Sequence, residues 1–68
     1  MVARTAALIG ERFRVADDYA RRLAIAALKG IDSHGFDAND WDTVVETVNV
    51  VVASWVSAGA FGEKVDGP

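Results

Sequence analysis

Polar chemistry concentrates in one short segment of this chain, Asp32-Ser33-His34-Gly35-Phe36-Asp37-Ala38-Asn39-Asp40-Trp41-Asp42. Its carboxylates and imidazole are residue types that hold a divalent cation, and Asp32, Ser33 and His34 are those of a nucleophilic triad. The spacing supports neither chemistry. Counted from Asp32 as an EF-hand loop, the third, fifth and twelfth positions are His34, Phe36 and Thr43; counted from Asp37, the sixth is Asp42 where the turn needs Gly. Three consecutive residues on a tight loop do not aim at one another, as a nucleophile, its base and an orienting acid must. His34 is the sole histidine and cysteine is absent, which excludes a structural zinc site and any disulfide. The acids are therefore read as capping and charging the start of a helix, and His34 as an exposed loop residue. No catalytic residue, cofactor or metal is expected, and the chain is read as a non-enzyme.

A second group that could do chemistry is cationic. Arg4, Arg12, Arg14, Arg21 and Arg22 share the first half of the chain and could contact phosphates. Glu11, Asp17 and Asp18 are interleaved with them, so the reading is a solvated, internally paired face. Residues 1–30 carry six cationic and three acidic side chains, a net of +3, whereas residues 31–68 carry one and seven, a net of −6. A basic half and an acidic half favour antiparallel packing of halves, within or between chains. The overall net charge of −3 argues against a nucleic-acid binder.

Two helices must position these groups. From Ile9 onward, Phe13, Ala16, Ala20, Leu23 and Ala27 repeat at spacings of 4, 3, 4, 3 and 4, the seam of a helix over about residues 3–29. Gly10 is its weak point, and Gly30 is placed as the left-handed residue that stops it, with Ile31 folding back onto Ala26 and Ala27. A connection over 30–36 follows. The second helix, about 38–58, is expected to start with Asp37 as N-cap, Asp40 completing a capping box, and Phe36 stapled to Trp41. Its seam is Trp41, Val45, Val48, Val52, Trp55 and Gly59, again at helical period, and Gly59 or Gly62 ends it. A strand over Thr43–Val52 is the rival, given its β-branched residues, but neither alternating face is cleanly apolar. Residues 63–68 read as a flexible C-terminal tail.

These elements make an all-α, two-helix antiparallel hairpin in a single domain over residues 1–62. At 68 residues and 51% hydrophobic content, without disulfide or zinc, such a hairpin leaves its large side chains half covered. Dimerisation into a four-helix bundle, or docking on a larger protein partner, would bury them. The expected interface is Phe13, Tyr19, Leu23, Trp41, Val48, Val52 and Trp55. The expected function is a protein–protein interaction module that self-associates, a dimer being favoured, and acts as adaptor, regulator or minor subunit.

Two alternatives use the charged faces. A small acidic inhibitor would block a basic site on a larger complex with Asp37, Asp40, Asp42 and Glu46. An RNA- or DNA-binding dimer would use the Arg face of the first helix. Thr47–Phe61, the longest uncharged stretch, falls short of the ~20 residues a membrane span needs. Arg4 precedes only the short apolar run Ala6–Ile9, so no secretory signal is read and a cytoplasmic protein is expected.

Overall fold

A computed structural model of the chain describes residues 1–62, which are mainly helical, with no strand among them. The tail expected over 63–68 lies outside the described residues. Helix α1 spans Val2–Phe13 and α2 spans Asp17–Ser33. A third, continuous rod follows over residues 41–58, made of α3 (Trp41–Thr47), a π-helical stretch (Val48–Val52) and α4 (Ala53–Ala58), with a 3₁₀ turn at Ala60–Gly62. The fold is thus all-α, with three helices rather than the two of the expected hairpin.

The expected first helix breaks at residues 14–16. Arg14 adopts the left-handed conformation (φ 56°, ψ 48°), its N–H closes α1 onto Gly10 O at 2.8 Å, and Ala16 is extended (φ −63°, ψ 152°) before α2 begins. Unbroken, the helix would have held the Thr5–Ile9 face away from any partner. Broken, it lays α1 back on α2 and removes Ile9 and Thr5 from solvent completely. Burying an Ile side chain stabilises by roughly 1.5–3 kcal/mol, and Val2, Leu8 and Phe13 add partial burial against the same core. One strained residue costs about 1–3 kcal/mol, so the refolded arrangement wins. Gly10, where weakness was expected, stays helical; a Cβ there would meet Ala20 Cβ and Val15 O only at 3.9 Å.

Helix α2 runs through Gly30 and stops five residues later than that glycine suggested. Gly35 is the left-handed residue (φ 84°), its N–H bonded to Asp32 O at 3.0 Å and that of Phe36 to Ile31 O at 3.0 Å. This is the Schellman pattern, with Gly35 rather than Gly30 as its glycine. The extra turn keeps Ile31, four residues after Ala27, on the buried face with Ala20, Leu23 and Ala24. A stop at Gly30 would have left it outside.

The rod starts three residues later than expected. Asp40, not Asp37, is the N-cap: its carboxylate accepts from the Asp42 N–H (3.2 Å) and from Thr43 Oγ1–H (3.1 Å). Asp37 instead accepts from Asn39 N–H (2.9 Å), and Asp40 N–H closes the same turn onto Asp37 O (3.1 Å). A side chain engaged in its own Asx turn cannot also cap. Phe36 is 63% exposed, so no staple onto Trp41 forms. At the other end Gly59 (φ 70°) terminates the rod, one of the two glycines named for that role.

The buried stripe of the rod is Val44, Val48 and Val52, a spacing of four throughout, while Trp41, Val45 and Trp55 are only half-buried and Gly59 is exposed. In a regular α-helix, residues four apart drift steadily around the axis. Over Val48–Val52 the backbone widens, the Ala53 N–H reaching Val48 O five residues back, and the wider turn holds the valines in line. Thr47 Oγ1–H bonds Thr43 O (2.9 Å) just before this stretch, a contact that loosens helices locally.

The rod returns antiparallel to α2, since Tyr19 at the start of α2 donates its hydroxyl to Ala60 O at 2.8 Å. Helix α1 is tied to the rod at two places. Arg4 stacks over the Trp41 ring at 3.7 Å and Arg12 donates to the Asn49 side chain. Both pairs have the same sequence offset, so α1 runs alongside the rod in the same direction. The core lies between the three: Ile9 from α1, Tyr19, Leu23 and Ala27 from α2, Val44, Val48 and Val52 from the rod.

Candidate functional site

Because α2 carries both its neighbours on one broad face, its two flanks differ. The flank bearing Asp17 and Arg21 meets Ala3, Ala6 and Ala7 of α1 across a shallow cleft. The other flank meets only the rod, and there a groove of about 520 Å³ stays open. Small residues, Ala27 and Gly30, form its α2 wall, with Ile31 at the base. Large ones, Val50, Val51 and Trp55, form the rod wall, and Phe36 closes the loop end. Val50 and Phe36, each 63% exposed, are the two most exposed large hydrophobic side chains among the described residues, and both line this groove with Val51. At the far end Phe61, held in a left-handed conformation (φ 63°), packs edge-on to Trp55 at 5.0 Å and 71°.

The rod edge of the groove carries an acid, Glu46. Thr43, Glu46 and Thr47 edge the groove on the rod, and Asp42, four residues before Glu46, continues that edge. On α2, Arg22 and Lys29 are exposed and lie outside the residues that line the groove. Arg22 lies over the Tyr19 ring at 5.8 Å, which places it beside the rod's end rather than beside α1.

The seven apolar residues expected at an interface fall into two sets. Tyr19, Leu23, Val48 and Val52 are sealed in the chain's own core, so a partner cannot touch them without unfolding it. Phe13, Trp41 and Trp55 are half-buried: Phe13 packs against the core, Trp41 lies under Arg4, and Trp55 lines the groove. Of the acidic surface, Asp37 and Asp40 hold the loop and the helix start, whereas Asp42 and Glu46 remain exposed beside the groove. Phe36, Val50 and Val51 were not among the expected interface residues. The signal for them was Val50 and Val51 lying off the buried seam of an otherwise apolar helix, with nothing to cover them.

The triad-like residues do not converge. His34 Nδ1–H donates to Gly30 O at 2.8 Å and Ser33 Oγ–H reaches the same carbonyl at 3.4 Å, so both finish the end of α2. Asp32 is exposed. Among the described residues no three His, Cys, Asp or Glu side chains gather as a metal-holding group, and no helix is long and apolar enough to cross a membrane. Comparison with protein-family models, with curated proteins and with solved structures finds no match for this chain.

Proposed function

We propose that this chain is a non-enzymatic protein-interaction module that offers the groove between α2 and the rod to a partner helix. The observation that carries this reading is the convergence of Phe36, Val50, Val51 and Trp55 on one open, apolar trough. A trough between two packed helices has the shape that a further helix fills, completing a four-helix arrangement. Exposed aromatic and aliphatic anchors beside a charged rim are the usual makings of a binding face. The bundle made by dimerisation is the simplest form of this reading. An adaptor, a small regulator or a minor subunit would each use the same groove.

The charged-face alternatives have less support. A purely acidic contact surface loses Asp37 and Asp40 to the loop. A nucleic-acid face would need Arg4 and Arg12, which are engaged with Trp41 and Asn49.

A photo-reactive amino acid placed at Val50 tests the module. The expected result is a covalent adduct with protein when cells expressing the full chain are irradiated, and none from the same residue at Ala7, an exposed position on α1. Equal labelling from both positions, or none from either, would sink the reading.

A further inference from the structure

In the turn between α1 and α2 the local preference of the chain and its fold disagree. Residues 14–16 are Arg, Val and Ala, with neither Gly nor Pro among them, and Arg and Ala rank high as helix formers. The apolar seam Ile9, Phe13, Ala16, Ala20, Leu23 and Ala27 passes through the turn without a change of helical period. Both helix ends at the turn are poorly finished. Arg14 takes the left-handed conformation (φ 56°) that Gly usually supplies. Ala16 is the N-cap of α2, a place where Ser, Thr, Asp or Asn would accept from a free N–H and Ala cannot. A straight helix removes both defects. It also sets Arg14 three residues after Glu11 and three and four residues before Asp17 and Asp18, the spacings at which helical ion pairs form.

We infer that this turn is a hinge, and that its straight form pairs two copies of the chain by exchange of α1. Within one chain, straightening uncovers Ile9 and Thr5 and the core they seal. A second chain in the same form covers them. Helices α1 and α2 lie antiparallel in the closed chain, so two straight helices over residues 2–33, each about 48 Å long, pair antiparallel around a twofold axis near Val15. Helix α1 of each copy then takes the seat on α2 and the rod that the other copy's α1 has left.

The complementarity of that interface is already present in the closed chain. Ile9 enters the same core, Arg4 stacks on the same Trp41 and Arg12 donates to the same Asn49, now between copies. New contacts arise only at the crossing point, where the seam brings Phe13 and Ala16 of the two copies together. A short, strained hinge joining an element to a seat it can fill in a neighbouring copy is the condition for such exchange. Relief of the turn favours the straight form, and the entropy of joining two chains favours the closed one, so concentration sets the balance. The groove takes no part, and the exchanged dimer therefore presents two grooves in one assembly.

The test is sedimentation velocity on the full chain, unfolded in urea and refolded over a range of concentrations, with each variant checked for helicity by circular dichroism. The wild-type chain is expected to form a dimer whose fraction rises with the refolding concentration. Asp17→Pro fits the closed form, because position 17 is the first of α2 and Ala16 already has the extended backbone (ψ 152°) that a following proline demands. In a straight helix the same proline is interior and breaks it. The variant is expected to stay monomeric at every concentration with its helicity unchanged. Arg14→Gly relieves the closed form and weakens the straight one, and should raise the dimer dissociation constant about tenfold or more; it carries the test if the proline variant fails to fold. Val50→Lys should dimerise as the wild type does. Because the chain has no cysteine, Arg12→Cys and Asn49→Cys chains refolded together carry one thiol each. A short bis-maleimide is expected to join position 12 of one chain to position 49 of the other in the dimer fraction.

A wild-type chain that stays monomeric over the whole range overturns the inference. A dimer that persists in folded Asp17→Pro, or is indifferent to Arg14→Gly, also overturns it, because the hinge is then not straightened. So does a dimer without the 12–49 link, because α1 is then not exchanged. A dimer lost in Val50→Lys and kept in Asp17→Pro places the contact in the groove, which overturns the exchange and leaves the interaction module standing.

Discussion

The two flanks of α2 are built from similar material and end differently. On one, α1 folds back and buries Ile9 and Thr5, and its arginines reach across to Trp41 and Asn49. On the other, the rod leans away and leaves Val50, Phe36 and part of Val51 in water. What separates them is chain connectivity. The three-residue turn at 14–16 returns a helix to the first flank, and the described chain has no fourth helix to return to the second. The chain satisfies one side of its central helix from its own sequence and leaves the other side open.

The sharpest way to break the contrast is to truncate an apolar residue on each flank. Ile9→Ala, fully buried, should cost about 2–5 kcal/mol in urea unfolding at low micromolar concentration, enough to unfold a domain of this size. Val50→Ala, on the open flank, should change the unfolding free energy of the monomer by less than about 0.5 kcal/mol. Comparable losses at the two positions would mean that the groove is covered within the monomer.

A smaller effect of opposite sign is expected at Thr5. Its hydroxyl is completely buried and finds no partner, and an unsatisfied buried polar group costs about 1–3 kcal/mol. Thr5→Val keeps the shape and removes the hydroxyl. It should raise the midpoint of thermal unfolding, by an amount equivalent to about 1 kcal/mol or more; a lower midpoint would show that the hydroxyl is bonded in solution.

The smallest effect sharpens how α1 is held. Arg4→Ala removes the stacking on Trp41, and such exposed cation–π contacts are worth about 0.5–1 kcal/mol. The expected signature is a matching loss of stability with a shift in tryptophan fluorescence, because Trp41 gains solvent. An unchanged spectrum would place the guanidinium elsewhere in solution.

Much of the secondary structure is legible residue by residue. The periodic apolar positions from Ile9 to Ala27 and from Trp41 to Trp55 are those of helices, and they lie on helices except Ala16, which falls at the break. Gly59 ends the rod through the conformation only glycine adopts without cost. Asp37 and Asp40 both belong to the start of the rod; which one caps depends on the Asx turn that Asp37 makes with Asn39. The break at Arg14 has no local signal, because an arginine in the left-handed conformation contradicts its own propensity. It is imposed from a distance by the burial of Ile9. The stop at Gly35 rather than Gly30 is likewise set by Ile31 needing a place in the core.

The site follows the same division. Trp55 and Glu46 were readable as surface or interface residues; Val50 carried only the signal of lying off the seam, since which valines of an apolar helix face outward depends on its rotation, and Phe36 carried none. The π-helical stretch changes that rotation by a fraction of a turn, and it turns Val44 rather than Val45 inward. Helical class, apolar surplus, charge asymmetry and the absence of cysteine were determined by the sequence alone, because each depends on residue type and near-neighbour spacing. Where the chain reverses, which seam is buried and which flank stays open were decided only in the tertiary structure. There, contacts between residues far apart in sequence outweigh the preference of any one residue.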